Sequence, residues 1–247
     1  MRTFLTLYKR ELATLFFTPV GYIIMCVFLG VLGWVFWLLV QVLNLPASYR
    51  FNEDVFSILF GGTFFYWIVL AAVASALTMR LFAEERRSGT IEVLMTAPVS
   101  DLAVVLSKYC AALSFLLLMW APTAVFVIVL SRFATVDYGV VLSGYVGTVL
   151  LCAMLTAVGL LVSSFTRSQI VSFIISFVVI LMLFSLSFMQ TVVSPFWRAL
   201  YSYTSILEQF KDFPKGVVDS RPVVYFISVT LFLLFCTVHS LESRKWR

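Results

Sequence analysis

Six long apolar stretches constrain this 247-residue chain more than any other feature. A helix needs about 20 mainly apolar residues to cross the hydrocarbon core of a bilayer. The stretches that meet this requirement run from Val20 to Leu43, Ile58 to Met79, Leu102 to Ser131, Val140 to Phe165, Gln169 to Val193 and Pro222 to Leu241. With 62% apolar and only 12% charged residues, the composition lies far outside the usage of soluble proteins. We therefore predict an all-α integral membrane protein, a single domain over residues 1–247 with six transmembrane helices between residues 20 and 241.

The distribution of Lys and Arg predicts the orientation of these spans. Cytoplasmic segments of membrane proteins carry more Lys and Arg than the segments on the opposite side. Placing both termini in the cytoplasm puts most of the 17 Lys and Arg residues on that side. The acidic residues divide equally between the two sides, so the whole formal excess of +5 falls on the cytoplasmic side as well. We therefore predict that both termini are cytoplasmic.

An amphipathic helix is predicted before the first span, within residues 1–18. Its apolar residues recur at three- and four-residue spacing, at Phe4, Leu5, Tyr8, Leu12, Leu15 and Phe16. Lys9 and Arg10 occupy other faces, where anionic lipid headgroups can bind them. Pro19 favours a helix end at Thr18 and the start of a new helix. The pattern indicates an interfacial helix that turns sharply into the first span.

The densest group of charges lies between the second and third spans, over residues 80–101. Two acidic residues are followed directly by two basic ones, Glu84, Glu85, Arg86 and Arg87. We predict that they continue the helix of the second span just past the membrane, because basic side chains stabilise the last turn of a helix. Gly89 can then end the helix in the left-handed conformation and act as a hinge.

A short helix is predicted directly after this hinge. Thr90 can cap it, and Ile91, Leu94 and Met95 form one apolar edge at helical spacing, before Pro98 ends the helix. An apolar edge flanked by charges of both signs can dock into a groove on a soluble partner. The same pattern also fits a solvated loop, and the pattern alone does not separate the two interpretations.

A second amphipathic segment is predicted on the external side, over residues 194–221. Ile206, Phe210, Phe213 and Val217 recur at helical spacing, and polar residues lie between them. We favour a segment that packs on neighbouring helices over one that contacts a substrate directly.

Several kinds of function lack their motifs in this sequence. No G-x-x-x-x-G-K-[ST] phosphate loop occurs, so the chain has no such means of binding ATP. The four cysteines form no CxxC pair, and we expect neither a metal site nor catalytic residues. No predicted span has Asp, Glu, Lys or Arg near its centre, which argues against a proton- or ion-coupled carrier. We expect no enzyme activity and no nucleic-acid partner.

The charged stretch also carries a resemblance to a known family. The run MRLFAEERRSGTIEVLMTAPVSDLAVVLSKY resembles the signature region of exporter-type (type-2) ABC transporter permeases. The amino-terminal KREL and FFTPVGY and the carboxy-terminal SLESRKW are similar to the same family. With EQFKDFPKGVVDSRPVVYF, they resemble its gliding-motility-associated permease branch in particular.

The resemblance implies a partner that supplies the energy. In that family a six-span permease pairs with a second copy or a paralogue and binds two ABC-type ATPase subunits, which hold ATP and Mg. The segment from Glu84 to Met95 would then be the cytoplasmic coupling helix that docks into the ATPases. Carried over by position, the residues fall into three groups: polar contacts at Glu84, Glu85, Arg86 and Arg87, a hinge and cap at Gly89 and Thr90, and an apolar edge at Ile91, Leu94 and Met95.

Two functions follow as hypotheses. The first is the transmembrane permease subunit of an ATP-driven exporter in the plasma (inner) membrane of a bacterium. The alternative is a non-transporting membrane scaffold or mechanical transmitter, driven by the same ATPases, which moves an external or periplasmic partner through residues 194–221.

Overall fold

The computed structural model describes residues 2–43, 58–90, 99–132, 136–189 and 203–245. Within these ranges the chain forms helices and turns and contains no strand. The helices are α1 (Arg2–Phe17), α2 (Pro19–Leu43), α3 (Phe64–Thr78), α4 (Ala83–Ser88), α5 (Asp101–Trp120), α6 (Ala124–Ser131), α7 (Tyr138–Phe165), α8 (Gln169–Met189), α9 (Ile206–Phe210) and α10 (Ser220–Lys245).

The described residues include the six predicted spans, except for residues 190–193 at the end of the fifth. The helical stretches that are long and apolar enough to cross a membrane are Pro19–Val42, Phe64–Ser88, Asp101–Ser131, Tyr138–Phe165, Gln169–Phe188 and Ser220–Ser243. The third of them joins α5 to α6 through a short 3-10 turn, Ala121–Thr123, that contains Pro122. The prediction of an all-α protein with six membrane-spanning helices is therefore confirmed.

The start of the second span differs from the prediction. We predicted a helix from Ile58, but the regular helix begins at Phe64. Residues 58–62 form a tight π-type turn in which Gly61 has a φ of 106°. Side chains other than glycine rarely adopt this conformation, and it breaks the helix before α3. Ile58, Leu59 and Phe60 are all buried in this turn. Their apolar character therefore fits a buried turn and not the start of a membrane-spanning helix.

Helix α7 lies at the centre of the bundle. About two thirds of its membrane-spanning window is buried, compared with about a quarter for the first, fifth and sixth spans. It packs against α3, α5, α8 and α10. Gly159 lets α3 approach closely, because a Cβ at this position would lie 2.0 Å from Thr78 Oγ1. A displacement of α7 would therefore alter its packing against most of the other spans.

The segment after α8 packs on one end of the bundle. We predicted an amphipathic helix with Ile206, Phe210, Phe213 and Val217 on its apolar face. The helix α9 ends at Phe210, and a 3-10 turn, Phe213–Lys215, follows it. Ile206, Phe210 and Phe213 are buried, whereas Val217 is 55% exposed. The helix is shorter than predicted because Pro214 disfavours its continuation, and the chain turns again at Gly216, which has a φ of 83°.

Helix α1 packs along α5. Tyr8 donates a hydrogen bond to Ser114 Oγ at 3.0 Å, and the ring of Phe16 contacts that of Phe115 edge to face. Leu5 and Phe17 remain exposed. The predicted helix is thus present, with one apolar side on α5 and other apolar residues free to contact lipid.

Candidate functional site

The candidate site is built on α4, the short helix that follows the second span. Leu81, Phe82 and Ala83 are buried where the chain turns from α3 into α4. The acidic pair lies in the first turn of α4 and the basic pair in its last turn, which is the favourable order for the helix dipole. Gly89 ends the helix with a φ of 75°. The helix therefore has a fixed start on the bundle and a left-handed turn at its end.

One side of α4 faces outward. Glu84, Arg87, Ser88, Gly89 and Thr90 are all exposed. The only described ion pair on this side joins Glu84 Oε2 to Arg80 Nε, at 3.2 Å. Such exposed pairs contribute little to stability, about 0–1 kcal/mol. A partner can therefore bind these polar groups with little loss of stability in the permease.

The other side of α4 carries Glu85, which binds a buried lysine. Lys108 Nζ lies 2.7 Å from Glu85 Oε1 and 3.2 Å from Glu11 Oε1. The side chain of Lys108 is only 2% exposed. Arg10 completes the group, with its Nη2 atom 3.1 Å from Glu11 Oε1 and 3.7 Å from Glu85 Oε1. We call Arg10, Glu11, Glu85 and Lys108 the charged cluster; it joins α1, α4 and α5.

Lys108 has a further contact beneath α4. Its ammonium lies 5.3 Å from the centroid of the Phe82 ring, within the range of a cation–π interaction. A buried charge is costly unless partners of opposite charge and hydrogen bonds compensate for it. The carboxylates of Glu11 and Glu85, with the ring of Phe82, supply that compensation here.

Arg86 also turns toward the bundle. Its Nη1 atom lies 3.5 Å from the carbonyl oxygen of Thr166, directly after α7. Its Nη2 atom is buried and has no hydrogen-bond partner in the described part of the chain. Arg86 therefore contacts the end of the fourth span, whereas Arg87 points outward.

A cleft lies beside the charged cluster, between α1 and the start of α4. Its volume is about 300 Å³. Its charged lining comprises Arg10, Glu11, Arg80, Glu84, Glu85 and Lys108. The formal charges of these six side chains cancel, and each takes part in an ion pair with another of them. The cleft therefore presents both signs of charge without a net excess.

The predicted docking residues fall into three groups in the structure. Glu84, Arg87, Gly89 and Thr90 are exposed, whereas Glu85 and Arg86 contact other parts of the chain. The predicted apolar edge, Ile91, Leu94 and Met95, lies outside the described residues.

Sequence reasoning missed the inner partners of α4. We expected Arg10 to bind anionic lipid headgroups and assigned no partner to Glu11 or Lys108. A signal was present, because Lys108 is a single cation in an otherwise apolar helix, and such residues are normally paired within the bundle. Among the described residues no group of His, Cys, Asp and Glu could hold a metal ion.

Comparison with known proteins places the chain in a family. A family model described as "ABC-2 family transporter protein" matches residues 21–183, about two thirds of the chain. No curated protein matches the chain. The matched region contains α4, the second, third and fourth spans, and most of the first and fifth. Members of this family are membrane subunits without an ATPase motif of their own, and they associate with ABC ATPase partners. The chain belongs to the ABC-2 transporter family, as a multi-pass transmembrane permease subunit.

Proposed function

We propose that this permease moves a substrate across the membrane when two separate ABC-type ATPase subunits hydrolyse ATP, and that α4 with residues 89–95 docks into those subunits. One observation carries the docking role. Helix α4 is exposed on one side and tied to three other helices on the other side.

Force on α4 would reach the spans through identified contacts. Glu85 connects α4 to Lys108 in α5, and through Lys108 to Glu11 in α1. The backbone of Phe82 and Ala83 is bound by Ser163 in α7. Because helices are stiff and these contacts are short, tilting of α4 would displace α5 and α7 with it. This is the mechanical link that an ATP-driven permease needs.

We assign a role to each side chain according to its exposure. Glu84 and Arg87 offer charges of both signs to an ATPase, and Gly89 and Thr90 form the hinge and the beginning of the next segment. Glu85 and Arg86 hold α4 in place from within. Ile91, Leu94 and Met95 remain the proposed apolar edge. The chain itself binds no nucleotide, since ATP and Mg are held by the ATPases.

The setting of the complex follows from the same proposal. The excess of Lys and Arg favours cytoplasmic termini and places α4 on the cytoplasmic side, where ATP is available. Helix α1, with exposed Leu5 and Phe17, lies at the lipid interface. A second copy of the chain or a paralogue completes the path for the substrate, in the inner membrane of a bacterium.

The docking role is tested by purifying the chain from its native membrane in mild detergent and identifying the subunits that accompany it. We expect an ABC-type ATPase to co-purify. Its absence under conditions that preserve membrane complexes would rule out the proposal. Transport by the purified complex in vesicles then tests the permease function.

A mechanical transmitter is the second candidate function. Phe213 packs against Gly147 in α7, at the end of the bundle opposite α4. Helix α7 therefore connects the docking end to the segment after α8, which could move an external or periplasmic partner. ATP hydrolysis by the complex without transport of any tested substrate, together with capture of a partner at residues 203–221, would favour this function.

A further inference from the structure

The turn between α3 and α4 leaves backbone groups that need partners. The amides of Phe82 and Ala83 both donate to Ser163 Oγ, at 3.1 and 3.2 Å. Both residues are fully buried. A buried amide without a partner is strongly unfavourable, so the turn depends on an acceptor from elsewhere in the bundle. Ser163, in α7, supplies it.

The hydroxyl of Ser163 uses all of its hydrogen-bonding capacity at this turn. A serine hydroxyl has one donor and two acceptor positions. Ser163 accepts from the two amides of Phe82 and Ala83 and donates to the carbonyl oxygen of Met79, at 3.3 Å. It therefore binds the chain on both sides of the break between α3 and α4.

The preceding turn of α7 fixes the end of α3. Gly159 lies against Thr78, the last residue of α3, so closely that a Cβ would be 2.0 Å from Thr78 Oγ1. Gly159 and Ser163 are four residues apart and therefore lie on the same face of α7. One face of α7 thus holds the end of the second span and the start of α4.

The neighbouring residue, Ser164, shows that this arrangement is specific. Ser164 is also buried, but its hydroxyl lies 3.5 Å from Ser240 Oγ in α10 and donates, at 2.7 Å, to the carbonyl oxygen of Leu161 in its own helix. Serine in apolar helices commonly bonds to its own backbone in this way. Ser163 instead binds the stretch of chain between α3 and α4.

We propose that Ser163 is a positioning residue, which sets the direction in which α4 leaves the second span and makes α7 follow α4 when α4 is displaced. The coupling part of this inference rests on the proposed docking of α4 to an ATPase. The positioning part concerns the chain alone.

The positioning part is tested by hydrogen–deuterium exchange on the purified chain. In Ser163→Ala the amides of Phe82 and Ala83 lose their acceptor, and we expect their exchange to rise at least about tenfold. Ser164→Ala is the matched control and should leave these two amides unchanged. Ser163→Cys keeps a side chain of similar size with weaker hydrogen bonds, and should give an intermediate rise. This milder variant decides the question if Ser163→Ala does not fold. Exchange at Phe82 and Ala83 equal to that of the wild type in the Ser163 variants would overturn the inference.

The coupling part is tested on the permease with its ATPase subunits. We expect the Ser163 variants to co-purify with the ATPase as well as the wild type does, because the exposed side of α4 is unchanged. Stimulation of ATP hydrolysis by the permease should fall at least about fivefold, while Ser164→Ala retains it. Increased exchange with unchanged stimulation would overturn the coupling role. If the wild type binds no ATPase, the proposed function fails, and the exchange result alone decides whether Ser163 positions α4.

Discussion

Lys108 and Glu85 form a buried ion pair, with Nζ and Oε1 2.7 Å apart, between the third span and the short helix that precedes it. Lys108 also binds Glu11 at 3.2 Å, so one ammonium group joins three helices. Because the lysine is almost completely buried, its contribution depends on these partners. The position of α4 is therefore coupled to that of α1 and α5.

Replacing the buried lysine should destabilise the protein strongly. Lys108→Met keeps most of the side-chain volume but leaves the carboxylates of Glu11 and Glu85 without their ammonium partner. Breaking a buried pair in this way costs about 3–5 kcal/mol, and the apparent Tm in detergent should fall accordingly. The exposed Lys9 in α1 provides the control, since Lys9→Met should change the Tm little. Equal Tm values for the two variants would contradict the role of the charged cluster.

The two adjacent glutamates should respond differently to charge reversal. Glu84 is half exposed, so Glu84→Lys should alter stability by no more than about 0.5 kcal/mol while weakening the binding of an ATPase. Glu85→Lys would place a third cation beside Lys108 and Arg10, and should cost about 3–5 kcal/mol. Thermal unfolding and co-purification of each single variant separate the two effects. Loss of stability in Glu84→Lys, or normal stability in Glu85→Lys, would reverse the assigned roles.

Close packing of α3 against α7 should make Gly159 intolerant of a side chain. In Gly159→Ala the new Cβ would overlap with Thr78, so the two helices must move apart, at a cost of about 1–3 kcal/mol. Gly30 in α2 is the matched control, because nothing lies within 4 Å of the position that its Cβ would occupy. Gly30→Ala should be neutral or slightly stabilising. A Tm comparison of the two variants checks this prediction.

The anchoring of the segment after α8 should depend on one aromatic ring. Phe213 is 1% exposed, and truncation to Ala should cost about 3–5 kcal/mol. Val217 lies four residues later and is mostly exposed, so Val217→Ala should have almost no effect on stability. Limited proteolysis of the segment provides a local measurement. Faster cleavage in Phe213→Ala alone is expected, whereas equal cleavage in both variants would contradict the anchoring role.

The sequence predicted the spans well, because the bilayer requires long apolar helices and leaves few alternatives. It also favoured a helix end at Gly89, where the left-handed conformation is observed. The start of the second span was predicted wrongly, since the residues of the turn at Gly61 are as apolar as those of a helix. Hydropathy does not distinguish a buried turn from the end of a span.

The partners of α4 could not be predicted from local patterns. Lys108 and Glu85 are 23 residues apart, and Ser163 lies 80 residues from Ala83. Only the packing of α1, α5 and α7 around α4 brings these groups together. We predicted that the helix of the second span continues to Gly89, but the chain turns at residues 79–82 and α4 is a separate helix. Which of its charges face outward depends on the tertiary contacts of Glu85 and Arg86.

The most direct test of the docking role is cross-linking from the exposed side of α4 in the native membrane. A photo-cross-linking amino acid placed at Arg87 should capture an ABC-type ATPase subunit, identified by mass spectrometry. The same amino acid at Lys211, which is exposed near α9 at the opposite end of the bundle, serves as the control and should capture none. Capture of the ATPase at position 87 alone is the predicted result. Its absence at position 87, or equal capture at position 211, would contradict the proposal that α4 is the docking element of this permease.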